Sequence, residues 1–148
     1  MGSFLSLQKK IMYPAEIVIP MKKELTTIGF EELLTAEAVE TAMSKLGTAL
    51  VVVNSVCGCA AANARPAVRI SLNNKNTPDH LYTVFAGVDR DATDVARAKM
   101  MPFPPSSPSL ALFKDGELVH MIERHHIEGR SAQLIAENLT KAFDEFCD

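Results

Sequence analysis

The chain has 148 residues, 47% of them apolar and 22% charged, with a formal net charge of −3. That length favours one domain able to bury about two thirds of its unfolded surface. The small charge, with no basic run beyond the pairs Lys9-Lys10 and Lys22-Lys23, argues against nucleic acid as a partner. No apolar stretch approaches the length needed to span a bilayer. The opening residues lack the features of a secretory signal, although Gly2 and Ser6 match the short N-myristoylation pattern. Three cysteines, two of them almost adjacent, do not form a secreted disulfide framework, so a cytoplasmic protein is expected.

Residues 1–11 carry no clear pattern and read as a loose lead-in to a single domain over 12–148. From Pro14 to Ile28, apolar residues at Val18, Met21, Leu25 and Ile28 make one helical face. Pro20 either kinks that helix or marks its first turn, and Gly29 ends it. Phe30 to Leu34 is a candidate strand. Thr35 is the expected N-cap of a second helix with Val39, Met43 and Leu46 inward and Gly47 as its stop. The run Ala49-Leu50-Val51-Val52-Val53 is apolar throughout, as befits a strand covered on both faces. A helix follows to about Leu72, with a kink expected at Pro66. Asn73 to Pro78 reads as a loop, and Leu81 to Ala86 as another buried strand, with Tyr82 and Phe85 in the core.

Asp91 is placed as the cap of a short helix reaching about Met100. Four prolines within residues 102–108 make a rigid connection. Strands at Ser109–Phe113 and Glu117–Ile122 flank Asp115-Gly116, a strong hairpin signal. A last helix starts near Ser131 with Leu134, Ile135, Leu139, Phe143 and Phe146 inward. Strands alternating with helices, plus an antiparallel hairpin, predict an α/β fold: one mixed sheet with helices on both faces.

Between the apolar run and the following helix stands Asn54-Ser55-Val56-Cys57-Gly58-Cys59-Ala60. Unpaired backbone N–H groups and the helix dipole stabilise a thiolate at a helix start, which lowers its pKa. Gly58, without a Cβ, is expected to let the chain turn sharply enough for the sulfurs to approach. The pair therefore reads as a redox dithiol, with Cys57 the attacker and Cys59 the resolving thiol. A bridge between them would close a ring smaller than that of a Cys-x-x-Cys motif, hence a strained and readily reduced one. Both could instead be packed thiols, since cysteine is often a small buried hydrophobe. Cys147 reads as packing on the last helix. Arg65 could steady a thiolate, but an exposed helical arginine is the plainer reading. Asn54 and Ser55 either position the turn or form a polar loop edge. His125 and His126, being adjacent, should point apart and make a weak metal pair, and His80 and His120 carry no motif. Met100, Met101 and Phe103 either form an apolar lip or pack inward.

A cysteine motif between a buried strand and a proline-containing helix, followed by Pro108 to Glu117, resembles the thioredoxin fold. That resemblance implies a cis Pro108 with Ser107 near Cys57, both supporting the dithiol. One residue between the cysteines, rather than two, departs from thioredoxin. The fuller stretch from Val51 to Ala60, with Ala64-Arg65-Pro66-Ala67, Pro104 to Ser109, Glu123-Arg124-His125 and Ile127-Glu128-Gly129, resembles the bacilliredoxins over about residues 17–147. The family implies reduction of mixed disulfides between client proteins and bacillithiol, a low-molecular-weight thiol. Bacillithiol would act as co-substrate, S-thiolated proteins would be the partners, and no cofactor or metal would be bound. Weak disulfide isomerase activity is the alternative within the same chemistry. A carrier of Cu(I) or Zn through Cys57 and Cys59 is the alternative of another class, and a non-catalytic binding domain on the same scaffold is a third.

Overall fold

A computed structural model describes residues 13–148. The lead-in and the acylation pattern at Gly2 and Ser6 lie outside them. In chain order the elements are α1 (Ala15–Thr26), β1 (Glu31–Glu32), α2 (Ala36–Met43), β2 (Thr48–Asn54), a π-helical turn (Ala60–Ala64), α3 (Arg65–Ser71) and β3 (His80–Phe85). They continue with α4 (Arg90–Ala98), β4 (Ser109–Lys114), β5 (Glu117–Ile122), a single turn α5 (Arg124–Ile127) and α6 (Ala132–Phe146).

The five strands form one mixed sheet in the order β1-β3-β2-β4-β5. β1, β3 and β2 run parallel, whereas β4 and β5 are antiparallel to their neighbours. β2 is central and buried at every position. Its side chains alternate between two cores, as strand geometry requires. Leu50 and Val52 join Leu110, Leu112 and Ile122 on the face covered by α1, α3 and α6. Ala49, Val51 and Val53 join Val84, Ala111 and Phe113 on the face covered by α2 and α4. Helices on both faces explain why the sequence of β2 shows no polar alternation.

Local signals set several element ends. Thr35 Oγ1 accepts from the Ala38 N–H at 3.0 Å, forming the expected N-cap, and Ser131 Oγ accepts from the Leu134 N–H at 3.2 Å, which caps the last helix at the start placed near it. Asp115 and Gly116 have φ of 51° and 82° and join paired Lys114 and Glu117, the mirror-image turn that matches strand twist.

Five expectations differ from the structure. The strand at 30–34 shrinks to Glu31–Glu32. The cap of α4 falls at Asp89, not Asp91, and the Asp89 carboxylate makes no cap bond because it takes Lys22 Nζ at 2.9 Å. Leu46 is 78% exposed, since α2 ends at Met43 and leaves Leu46 in the following turn. Leu134 is 57% exposed, while Ile135, Ala136, Leu139, Ala142 and Phe143 carry the buried face of α6. The disruption expected at Pro66 is a widened π-helical turn ending at Ala64. Proline has no N–H to give and crowds the carbonyl four residues back, so a wider turn ahead of it relieves both conflicts. The helix α1, by contrast, continues through Pro20.

Candidate functional site

Strand register gathers the site at one edge of the sheet. The parallel strand β2 ends at Asn54, opposite Phe85 of β3. Across the antiparallel ladder Val53 faces Ser109, the first residue of β4, so the preceding proline loop abuts the end of β2. Leu110 in turn faces Ile122, the last residue of β5, which brings Glu123 and Arg124 to the same edge. The carboxyl ends of parallel strands are where open α/β sheets carry their sites.

The junction after β2 is held by side chains rather than by chance loop packing. Asn54 Oδ1 accepts from the Ser55 N–H at 2.9 Å and from Arg65 Nη1 at 2.9 Å. Asn54 Nδ2 donates to the Met21 carbonyl at 3.2 Å. Arg65 Nη1 also donates to the Ser55 carbonyl at 3.0 Å, and Ser55 Oγ accepts from the Cys57 N–H at 3.1 Å. Arg65 is only 3% exposed, which corrects the reading of it as a surface arginine. Its Nε lies 3.2 Å from Glu24 Oε2, an ion pair without hydrogen-bond alignment. It braces the backbone before the cysteines.

Cys57 and Cys59 are half-buried, with their Sγ atoms 2.8 Å apart. The Cys57 carbonyl accepts from the Ala60 N–H at 2.9 Å, which starts the helical turn. The two thiols are driven apart in acidity. Cys57 is pushed below the ordinary cysteine value, first by the hydrogen bond from Cys59 and further by the N–H groups of Cys59 and Ala60 and the charge of Arg124, with burial opposing. Cys59 is pushed up, first by burial and then by the neighbouring Cys57. The arrangement suits a nucleophilic first sulfur backed by a protonated second one.

Arg124 is the residue whose role the sequence did not reveal. Its Nε donates to Glu128 Oε2 at 3.3 Å and its Nη1 to the Ser107 carbonyl at 3.4 Å. Its backbone N–H reaches Ser106 Oγ at 3.4 Å. The guanidinium is raised in pKa, first by Glu128 and then by Cys57 and Cys59. Arg124 thus ties the proline loop to α5, and its charge acts on both sulfurs. In the sequence Arg124 stands in a plain charged string, Glu123-Arg124-His125, and its distance from Cys57 along the chain hides the relation.

The Ser107-Pro108 peptide is cis, as the thioredoxin resemblance implied, and Met101-Pro102 is cis as well. Pro108 is buried and Ser107 half-buried. Gly58 does not meet its expected role: its φ is not left-handed, and a Cβ there would touch nothing within 4 Å. The turn does not need glycine, and the space above it stays open. Cys147 is 2% exposed, and its surroundings include Thr48, Asp79 and Lys114. Thr48 begins β2 whereas the dithiol follows its end, so the length of the strand, about 20 Å, separates Cys147 from Cys57.

Met100 belongs to the core, while Met101 and Phe103 are 70% and 37% exposed. Tyr82 and Phe85 are buried as expected. His125 and His126 do not point apart: their ring centroids are 4.0 Å from each other. With Glu123 they bring donor atoms within 4.8 Å. Two of these groups are already engaged in closing α5, since His126 Nδ1 accepts from the Glu123 N–H at 3.1 Å and the Glu123 side chain accepts from the His126 N–H. Among the described residues, no third His, Cys, Asp or Glu joins the two sulfurs in such a group. No helix among them is long and apolar enough to cross a membrane.

Comparison with known proteins agrees with this geometry. The family described as disulphide isomerase matches residues 13–147. A bacilliredoxin of Cytophaga hutchinsonii is 60% identical over 134 residues, covering 90% of this chain and 99% of the relative. One from Shouchella clausii is 54% identical over 136 residues, covering 91% and 94%. Among solved structures, mitochondrial thioredoxin 3 of Saccharomyces cerevisiae superposes with a TM-score of 0.53 at 13% identity, covering 83% of this chain and 99% of that one. Fasciola hepatica thioredoxin gives 0.51 at 15% identity, covering 77% and 99%. These two establish the thioredoxin fold alone. A dithiol at the end of the central parallel strand, a proline loop abutting that end, a family match over residues 13–147 and relatives of this identity together place the chain in the bacilliredoxin family of thiol–disulfide oxidoreductases.

Proposed function

We propose that the protein reduces mixed disulfides between client proteins and a low-molecular-weight thiol, bacillithiol, in the cytoplasm, with Cys57 as nucleophile and Cys59 as resolving thiol. The observation that carries this reading is the 2.8 Å approach of two sulfurs whose acidities are pushed in opposite directions. The Cys57 thiolate attacks the small-thiol sulfur of the mixed disulfide. The old S–S bond breaks, the client sulfur leaves as a thiolate and takes a proton from water, and the small thiol is left bonded to Cys57. Cys59 then loses its proton to solvent and attacks Cys57 Sγ, closing a Cys57–Cys59 disulfide and releasing the small thiol. A second molecule of the small thiol can serve in place of Cys59, leaving with the first as a symmetrical disulfide and returning Cys57 directly to its thiolate. In this reading Ser107 and Pro108 support the dithiol from the loop that abuts the end of β2, and the open space beside Gly58 admits the mixed disulfide. Catalysis by sulfur exchange needs no bound cofactor.

The description of the matching family favours disulfide isomerisation as a second reading. It uses the same attack by Cys57 and differs in needing no small thiol for turnover. Carriage of Cu(I) or Zn is the less supported alternative, because among the described residues the two sulfurs have no third ligand grouped with them.

The deciding experiment incubates reduced, metal-free protein with a client carrying a bacillithiol mixed disulfide and follows both by intact mass. Wild type should release the client thiol, Cys57→Ser should not, and Cys59→Ser should accumulate a small-thiol adduct on Cys57. Release by Cys57→Ser would remove Cys57 from the role assigned to it. Isomerisation of a scrambled substrate without any small thiol would move the second reading ahead. A native protein that carries stoichiometric copper or zinc and reacts with no disulfide would favour metal carriage.

A further inference from the structure

We propose that Arg124 is a specificity-determining residue of the exchange: it takes up a carboxylate on the small-thiol half of the mixed disulfide, and Glu128 holds its guanidinium until that group arrives. The inference rests on the reading of Cys57 as the attacking sulfur.

Three observations converge on it. Register brings Arg124 to the edge of the sheet that holds the dithiol, two residues beyond the end of the pairing between β4 and β5. Its side chain is tied to the Ser107 carbonyl of the proline loop, and that loop abuts the end of β2, the strand that the two cysteines follow. Its only ion pair among the described residues is with Glu128, four positions on, and both side chains are well exposed, at 45% and 62%. Exposed pairs of this kind are weak and exchange readily with other anions.

The chemistry of the fork supplies the selectivity. A guanidinium carries five N–H donors in a plane that matches a carboxylate bidentately, and the contacts to Glu128 and Ser107 engage two of them. A small thiol becoming bonded to Cys57 is tethered by its sulfur. A carboxylate a few bonds away on that thiol then meets Arg124 as an intramolecular partner, at high effective concentration. Glu128 is displaced into water, where its charge is solvated. The field of Arg124 already reaches both sulfurs, so the same cation that favours the thiolate also favours an anionic adduct over a cationic one.

The test uses the Cys59→Ser protein, in which the adduct accumulates, and one reporter peptide thiol blocked in three ways. The blocking groups are 3-mercaptopropionate, 2-mercaptoethanol and cysteamine: anionic, neutral and cationic. Adduct formation on Cys57 is followed by intact mass, and the anionic-to-neutral rate ratio is taken within each protein, so that any change in thiolate population cancels. With Arg124 intact the ratio should be about fivefold and should fall with added salt. Arg124→Gln should bring it to about one, Arg124→Lys should keep part of it, and Glu128→Gln should raise it. A ratio of one with Arg124 present, or a ratio that survives in Arg124→Gln, overturns the proposal. Reaction with the 2-mercaptoethanol disulfide shows that each variant is folded and competent. If the protein with Arg124 intact transfers none of the three groups, the exchange reading falls first, and the specificity proposal falls with it.

Discussion

Arg65 Nη1 donates to Asn54 Oδ1 at 2.9 Å, tying the third helix back to the last residue of the central strand beneath the cysteine pair. The same nitrogen reaches the Ser55 carbonyl at 3.0 Å. A buried guanidinium thus supplies donors to a junction where the strand ladder has ended and the helix has not begun.

Removing that brace should be costly. Arg65→Ala leaves Asn54 Oδ1 with one donor fewer and deprives the Ser55 carbonyl of a buried partner, besides opening a cavity. Each buried group left unsatisfied costs about 1–3 kcal/mol, so a loss of about 2–4 kcal/mol is expected. Urea denaturation should show a lowered midpoint with an unchanged slope. A change within about 0.5 kcal/mol, the range of ordinary surface substitutions, would show that the brace is dispensable.

The two active-site thiols should titrate in a fixed order. Cys57 is lowered chiefly by the hydrogen bond from Cys59, so Cys59→Ala removes a donor to the thiolate and must raise the Cys57 pKa. The rate of iodoacetamide alkylation at Cys57, plotted against pH, should therefore shift its midpoint upward in that variant. In wild type, peptide mapping after brief alkylation near neutral pH should find Cys57 labelled ahead of Cys59. Preferential labelling of Cys59 would reverse the assignment of attacker and resolver.

Cys147 should stay silent in the folded protein. Burial pushes its thiol up, and it lies at the far end of β2 from the dithiol. Titration with an aromatic disulfide reagent should consume two thiols quickly and the third only after denaturation. Cys147→Ala should leave client release unchanged while lowering stability by about 1 kcal/mol, through the small cavity it opens. Loss of turnover in that variant would require the terminus to reach the dithiol.

Gly58 offers a sharper contrast between sequence logic and geometry. A Cβ there meets nothing within 4 Å, the φ is not left-handed, and the residue lies in a helical turn. Gly58→Ala should therefore be neutral or stabilising by about 0.5–1 kcal/mol. Any functional cost should appear with bulky protein disulfides rather than with small ones, because the added methyl intrudes only on the open space. Clear destabilisation in urea would mean that glycine is needed for the turn after all.

Much of the fold was written in local pattern. The unbroken run in β2, the Asp115-Gly116 turn, the caps at Thr35 and Ser131 and the order of strands and helices all depend on neighbours in the chain. Backbone stereochemistry and hydrophobic periodicity act over that range. The same holds for the dithiol itself, whose position between a buried strand and a helix is a local fact. Errors fell where a residue's environment depends on distant elements. Leu46 and Leu134 fitted an apolar helical spacing, yet one lies past the end of its helix and the other on a turn that no element covers.

Sequence by itself determined which sulfurs could react, because a cysteine pair at a strand–helix junction owes its chemistry to the backbone that carries it. Only the tertiary structure decided what surrounds them. The pairing of Val53 with Ser109 and of Leu110 with Ile122 brings the proline loop and Arg124 to Cys57, while the same central strand keeps Cys147 at its other end. Arg65 and Arg124 have the same formal charge, and nothing in the chain's order distinguishes a buried brace from an exposed cation beside a thiolate. Electrostatic influence falls with distance through space and depends on burial, and both are set only when the sheet has closed.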